Sequence, residues 1–189
     1  MVTILQLKKF NPAFYDNNVY QKDEWTDICD IGKLFDGIML TQKEYLRVES
    51  AYLHCFEYIM DQCNIQKLQV LRGGLDIEET DNYQKYLFGM EADEVINFVD
   101  KSWINRTDIA KFLRLMVRGL SGYAVTNKKN FFIWGTGDLY FHLGVDASIE
   151  VFMEEIHKND LFLEKLADFS YDNTALEDYW KLLSNLELR

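Results

Sequence analysis

The stretch Thr41–Cys63, TQKEYLRVESAYLHCFEYIMDQC, has the clearest periodicity in the chain. Its apolar side chains recur about every 3.6 residues over roughly six turns, which is typical of an amphipathic helix. These side chains are Tyr45, Val48, Tyr52, Cys55, Phe56, Ile59 and Cys63, and polar residues occupy the opposite side. Thr41 and Glu44 form a T-x-x-E capping box, in which both side chains satisfy backbone N–H groups of the first turn. The pattern predicts a helix over 42–63.

Strand patterns lie on both sides of this helix. Residues 2–7 (VTILQL) predict a strand, residues 37–40 (GIML) a short strand, and residues 66–72 a strand that ends at Gly73-Gly74. Residues 123–126, 131–134 and 138–143 predict an antiparallel meander, with Gly135-Thr136-Gly137 as a hairpin loop. The partial alternation of SIEVFM indicates one more strand at 148–153.

Further helices are predicted near 91–99 and over 108–120, 159–168 and 175–186. Thr107 is the expected cap of the second of these, and Gly122 its expected stop. This order of elements predicts an α+β fold in which a largely antiparallel sheet carries helices packed on one face. A length of 189 residues fits a single domain, 1–189.

Composition limits the class of protein. Hydrophobic residues make up 48% and aromatic residues 15% of the chain, which excludes an intrinsically disordered protein. Cys55 and Cys63 are eight residues apart on the predicted helix, so their backbones are roughly 12 Å apart, too far for a disulfide. The three cysteines, including Cys29, are therefore expected to be buried thiols outside disulfides. No targeting segment or membrane-length apolar run is found, and the expected location is the cytoplasm.

The chain has a formal net charge of −11, and its acidic and basic residues fall in separate blocks of the sequence. Residues 76–100 carry eight Asp/Glu against one Lys, and residues 138–189 carry twelve Asp/Glu against four Lys/Arg. Between them, residues 101–129 carry seven Lys/Arg against one Asp. Acidic surfaces attract basic partners and repel nucleic acid and anionic lipid, although they also serve solubility alone. The blocks contain aromatic residues, which are enriched at binding hot spots.

Catalytic motifs are sparse. No H-E-x-x-H, C-x-x-C or glycine-rich phosphate loop occurs, so neither a metal nor a cofactor is expected. His142 and Asp146, with Glu150 nearby, could serve a small hydrolase or transferase as a general-base pair. The alternation of residues 138–143 favours instead a structural or solvent-facing histidine on one face of a sheet, because a lone His–Asp spacing has almost no specificity.

A basic helix face leaves a third interpretation open. Lys111, Arg114 and Arg118 recur at i, i+3 and i+7, which could bind phosphates in a nucleic-acid-associated regulator. The acidic blocks could also neutralise these cations within the protein.

Two stretches carry a resemblance to a known class of proteins. Residues 23–52 contain Trp25, Asp30-Ile31-Gly32, the Leu40-Thr41 helix start, Glu44-Tyr45 and Glu49, and residues 131–146 contain Phe141-His142-x-Gly144-x-Asp146. Together they resemble immunity proteins of bacterial contact-dependent inhibition and other polymorphic toxin systems. Aromatic residues are expected after Asp146 in the related pattern, whereas this chain has Ala147-Ser148. The resemblance implies a cytoplasmic inhibitor that binds a secreted toxin domain, often a nuclease.

The sequence therefore predicts an immunity protein that performs no reaction itself and occludes the active site or substrate surface of a cognate toxin domain. No catalytic or metal-binding residue is assigned. Monomer or weak homodimer is the expected state, and membranes and nucleic acid are not expected partners. The predicted partner-binding residues are Asp76, Glu78, Glu79, Asp81, Tyr83, Glu91, Asp93, Glu94, Asp146, Glu150, Asp172, Glu177 and Asp178.

Overall fold

The computed structural model describes residues 2–71, 101–119, 122–126 and 130–165. They form an α+β fold with a seven-stranded antiparallel sheet, as predicted. The strands of this sheet are β1 (Thr3–Lys8), β6 (Lys67–Leu71), β7 (Trp103–Asn105), β8 (Gly122–Val125), β9 (Phe131–Gly135), β10 (Tyr140–Val145) and β11 (Phe162–Lys165). Two small hairpins precede the first helix: β2 (Tyr15–Asp16) with β3 (Val19–Tyr20), and β4 (Leu34–Phe35) with β5 (Ile38–Met39).

The sheet runs in the order β11-β1-β10-β9-β8-β6-β7. The predicted meander is confirmed, because β8 pairs with β9 and β9 with β10. Gly135 pairs with Phe141 as the last residue of β9, so the loop between β9 and β10 is Thr136–Leu139 rather than 135–137. The first strand lies in the interior, with Leu7 opposite Phe141 on one side and Leu163 on the other.

Helix α1 (Gln42–Gln62) confirms the strongest prediction. The hydroxyl of Thr41 accepts a hydrogen bond from the backbone N–H of Glu44 at 3.1 Å. The Glu44 carboxylate does not complete a capping box but accepts from the Arg47 guanidinium, at 2.9 Å from Nη2. The predicted stripe is buried except Cys63, which is half-buried where the helix ends.

Helix α2 (Arg106–Val117) begins two residues earlier than predicted. Its cap is Asn105, whose side-chain oxygen accepts from the N–H groups of Thr107 and Asp108 at 3.0 and 3.2 Å, so the expectation for Thr107 is wrong. Gly119, with φ of +99°, follows the helix in the left-handed conformation that favours glycine at a helix end. Gly122 is therefore not the stop and instead begins β8.

The last two described elements are a helix where a strand was predicted and a strand where a helix was predicted. The predicted strand at 148–153 is wrong, since Glu150–Lys158 form helix α3 and bury Phe152 and Ile156, four residues apart. The predicted helix at 159–168 is also wrong over its first half, because Phe162–Lys165 form β11. Asp160, with φ of +57°, turns the chain between the two elements.

One core joins the helices to a single face of the sheet. Leu5, Leu7, Ile133 and Phe141 on that face are buried together with apolar side chains of α1, α2 and α3.

The predictions for Gly73-Gly74 and for helices at 91–99 and 175–186 lie outside the described residues. Cys29 is exposed on a surface 3₁₀ turn, contrary to prediction. None of the described helices combines the length and apolar character needed to cross a bilayer.

Candidate protein-binding surface

Only two of the predicted partner-binding residues lie within the described residues. Asp146 follows β10 and is exposed, and Glu150 is the exposed first residue of α3, where it accepts a hydrogen bond from the Ser148 hydroxyl. Asp146 lies near the C-terminal end of α1, since its charge adds to burial in raising the pKa of the Cys63 thiol. The other predicted residues fall within 76–94 and 172–178, outside the described ranges.

Ion pairs offset much of the negative charge on the surface shared by α1 and α3. Lys158 Nζ lies 2.8 Å from a Glu154 carboxylate oxygen, and His54 Nε2 lies 2.8 Å from Glu155 Oε1. The Glu155 pKa is lowered, first by the hydrogen bond to His54. Asp146 and Glu150 therefore sit beside a surface of mixed charge.

One of the three cations of the basic helix face is turned inward, since Arg118 is mostly buried while Lys111 and Arg114 are exposed. Arg118 forms a two-point interaction with the buried carboxylate of Glu49 on α1, and its Nη2–Oε1 distance is 2.9 Å. Arg114 Nε lies 3.5 Å from the same carboxylate. Of the three predicted phosphate-binding cations, Lys111 alone has no ion pair with a described residue. Glu49 lies outside both acidic blocks, so the structure shows Arg118 neutralised by a residue of α1 and not by those blocks.

His142 lies on the face of the sheet opposite the helices. Its Nε2 is 3.2 Å from the side-chain nitrogen of Gln6, and its ring centroid is 4.8 Å from that of Trp134. Nδ1 is buried and has no hydrogen-bond partner. Burial lowers the pKa of His142 to about 4. The negative charge of Asp138 opposes this shift.

The His142–Asp146 pair does not assemble. Four residues along an extended strand separate the two Cα atoms by roughly 13 Å. A general base needs its orienting carboxylate within hydrogen-bond reach. Within 2–71, 101–119, 122–126 and 130–165, no three His, Cys, Asp or Glu side chains form a group that could hold a metal ion.

The excess negative charge of the described residues lies in one segment. Residues 11–40, here called the N-terminal segment, carry six Asp/Glu against two Lys, a net charge of −4. The other described residues carry twelve Asp/Glu and twelve Lys/Arg and are therefore balanced. Asp16, Asp23 and Asp36 are the exposed carboxylates of the segment.

Exposed apolar side chains concentrate in the same segment. Of eight large apolar side chains exposed in the described part of the chain, five belong to the N-terminal segment: Phe14, Val19, Leu34, Ile38 and Met39. Single exposed apolar residues are ordinary, whereas neighbouring ones mark an interaction site, and Leu34, Ile38 and Met39 share one hairpin in which Leu34 and Met39 are cross-strand partners. Negative charge and exposed apolar area thus coincide over 30 consecutive residues.

The N-terminal segment is fixed to the body of the protein. Lys9, at the end of β1, places its ammonium 3.0 Å from a Glu24 carboxylate oxygen and 4.3 Å from the centre of the Trp25 ring. Burial lowers the pKa of Lys9, and the contact with Glu24 opposes that shift. The hydroxyls of Tyr15 and Tyr140 share a hydrogen bond of 2.7 Å. These contacts present the segment as an ordered surface.

Sequence reasoning missed this surface because its charges are interleaved with aromatic residues and form no run. One local signal was available, since Asp36-Gly37 between two apolar dipeptides is a strong indicator of a hairpin. No protein-family model, curated protein or solved structure matches this chain.

Proposed function

We propose that this chain is an immunity-type inhibitor that binds and neutralises a basic toxin domain, with a nuclease domain as the expected target. One observation carries the proposal: the N-terminal segment combines a net charge of −4 with five exposed large apolar side chains, while the other described residues are balanced in charge. Buried apolar anchors supply most of the binding energy at protein interfaces. Complementary charge supplies the rate of encounter and the choice of partner.

The proposed mechanism is occlusion. A nuclease domain presents cations to hold phosphates, so an acidic protein surface is attracted to the same cleft. Electrostatic steering raises the association rate well above that of a neutral pair, and salt weakens the effect. An inhibitor of this kind needs an ordered complementary face, and the contacts of Lys9, Glu24 and Trp25 support that requirement.

The internal pairing of the basic helix favours this proposal over a nucleic-acid-binding role. Arg118 is held by the buried carboxylate of Glu49, which removes one of the three cations from a phosphate-binding face. A regulator that bound nucleic acid would also have to overcome the formal net charge of −11.

Isothermal titration calorimetry with the toxin domain encoded directly upstream tests the proposal. We expect a 1:1 complex whose affinity falls as NaCl is raised from about 50 to 500 mM, because the screening length shortens from above 10 Å to a few ångströms. Added inhibitor should abolish the toxin activity at one molar equivalent. Absence of binding at low salt would overturn the proposal, and retention of the inhibitor on heparin would favour the nucleic-acid alternative.

A further inference from the structure

The hairpin of β4 and β5 is a tight two-residue turn. Leu34 pairs with Met39 and Phe35 with Ile38, and Asp36-Gly37 connects the strands. The φ angles of Asp36 and Gly37 are +48° and +79°, as in the type I′ turn that matches the twist of a β-hairpin. This turn chemistry fixes the hairpin conformation locally.

The base of the hairpin is held from two directions. The Gly32 N–H donates to the Leu40 carbonyl at 2.8 Å, and the Leu40 N–H donates to the Lys33 carbonyl at 2.9 Å. Leu40 is buried with Ile28 and with Tyr45 of α1, and Phe35 packs against the same cluster. The hairpin therefore joins the folded body through a small core of its own.

The other side chains of the hairpin face solvent. Ile38 is 75% exposed, Leu34 62% and Met39 55%, which makes them the first, second and fourth most exposed of the large apolar side chains in the described residues. An ordered hairpin loses little conformational entropy on binding, so its exposed apolar area converts efficiently into affinity.

We infer that this hairpin is the apolar anchor of the inhibitor and inserts Leu34, Ile38 and Met39 into a cleft of a basic protein. The inference rests on the proposed function and adds to it the residues that enter the partner. Charge complementarity favours this occupant, because the segment that holds the hairpin has a net charge of −4, Asp36 stands exposed at the turn, and the one cation of the hairpin, Lys33, is paired with Asp30. A second copy of the chain would bring the same negative segment and be repelled.

Matched substitutions test the anchor. Ile38→Ser and Met39→Ser remove exposed apolar area and should weaken binding to the toxin domain encoded directly upstream by about tenfold or more each, mostly through faster dissociation. Val151→Ser is the control, because Val151 is also apolar and exposed, at 46%, but lies on α3 in the charge-balanced part. It should leave the affinity unchanged. Circular dichroism melting confirms that all three variants fold.

A second pair of variants tests the contribution of the Asp36 charge separately from that of the apolar side chains. Asp36→Asn removes one charge and keeps the turn, because Asn also tolerates positive φ and Asn-Gly favours the same hairpin. It should slow association severalfold at low salt and leave dissociation nearly unchanged. Glu57→Gln, at an exposed site on α1, is the control and should leave the association rate unchanged.

The outcomes distinguish the two proposals. If the unaltered protein binds and Ile38→Ser and Met39→Ser bind equally well, the hairpin is not the anchor although the inhibitor function stands. If the unaltered protein does not bind at low salt, the proposed function fails and the anchor fails with it. If light scattering shows a dimer that Ile38→Ser dissociates, the occupant is a second copy and the inference is overturned.

Discussion

The carboxylate of Glu49 on α1 holds the guanidinium of Arg118 at the end of α2 through two hydrogen bonds, one of them 2.9 Å long. Glu49 is 5% exposed, so this pair lies in the boundary between the two helices rather than on the surface. Desolvated ion pairs of this kind add little net stability, but removing Glu49 takes a charged acceptor from a mostly buried guanidinium.

Glu49→Gln should lower the free energy of unfolding by about 1–3 kcal/mol, because Arg118 exchanges a charged acceptor for a neutral one. Urea denaturation measures this loss, and Glu57→Gln, at an exposed site on the same helix, should change it by less than about 0.5 kcal/mol. The Glu49→Leu/Arg118→Met double variant should recover most of the stability, because an apolar pair replaces the buried charges and Arg114, the other cation beside Glu49, is half-exposed and stays solvated. Equal losses for Glu49→Gln and Glu57→Gln would contradict the structural account.

Gly144→Ala should destabilise the sheet by about 1–3 kcal/mol, which is typical of overpacking. A Cβ atom at position 144 would lie 2.0 Å from Cε1 of Phe132, whose ring crosses the glycine from the neighbouring strand. The Gly144→Ala/Phe132→Leu double variant should be destabilised by less than the sum of the two single changes. Strict additivity in urea denaturation would show that the ring and the glycine do not touch.

Asn105→Ala should cost about 1 kcal/mol of unfolding free energy, because two backbone N–H groups lose the acceptor that caps them. Thr107→Ala should cost less than about 0.5 kcal/mol. Thermal or urea denaturation of the two variants compares the observed cap with the one expected from the sequence. A larger loss for Thr107→Ala would make Thr107 the cap and move the start of α2 to position 108.

His142 should make the protein less stable in acid. Its pKa is lowered from 6.5 to about 4 in the folded state, so the unfolded chain takes up the proton first as the pH falls. The free energy of unfolding should therefore decrease between pH 6.5 and pH 4, by about 3 kcal/mol at most from this residue, and should not change from it above pH 6.5. His142→Gln should lose this part of the pH dependence. NMR titration of the ring should give a midpoint near 4, and a midpoint above 6 would refute the prediction.

Local patterns predicted α1 and the meander because their signals act within a few residues. Six of the seven residues in the α1 stripe are buried, and the alternation around Phe141 and Leu143 matches the two faces of β10. The α+β class follows from those elements.

Boundaries and short elements were harder to predict. Ile149, Phe152 and Ile156 follow helical spacing, but the partial alternation of SIEVFM obscured it. Leu161 and Leu163 alternate over too few residues to separate a strand from a helix. Strand β7 has three residues and was not predicted, because its pairing with β6 is set by tertiary contacts.

The candidate surface could be predicted only in part. The net charge indicated a basic partner, but the runs of acidic residues placed the predicted binding surface in 76–94 and 146–178. Exposure of Ile38 is a property of the folded chain, since its sequence neighbourhood equally suits a buried strand. Glu49 is the opposite case. It is a polar residue at the edge of the α1 stripe, and it is buried against Arg118 in the folded chain.

The position of β1 between β10 and β11 has a consequence for biosynthesis. Both hydrogen-bonded neighbours of β1 are translated long after it, since β10 is complete only at residue 145 and β11 only at residue 165. Loop closure over such distances is slow compared with local structure formation. Native assembly is therefore expected to follow translation of the C-terminal strands, and a nascent chain interrupted before residue 140 would leave Leu5 and Leu7 without their partners, as a target for chaperones.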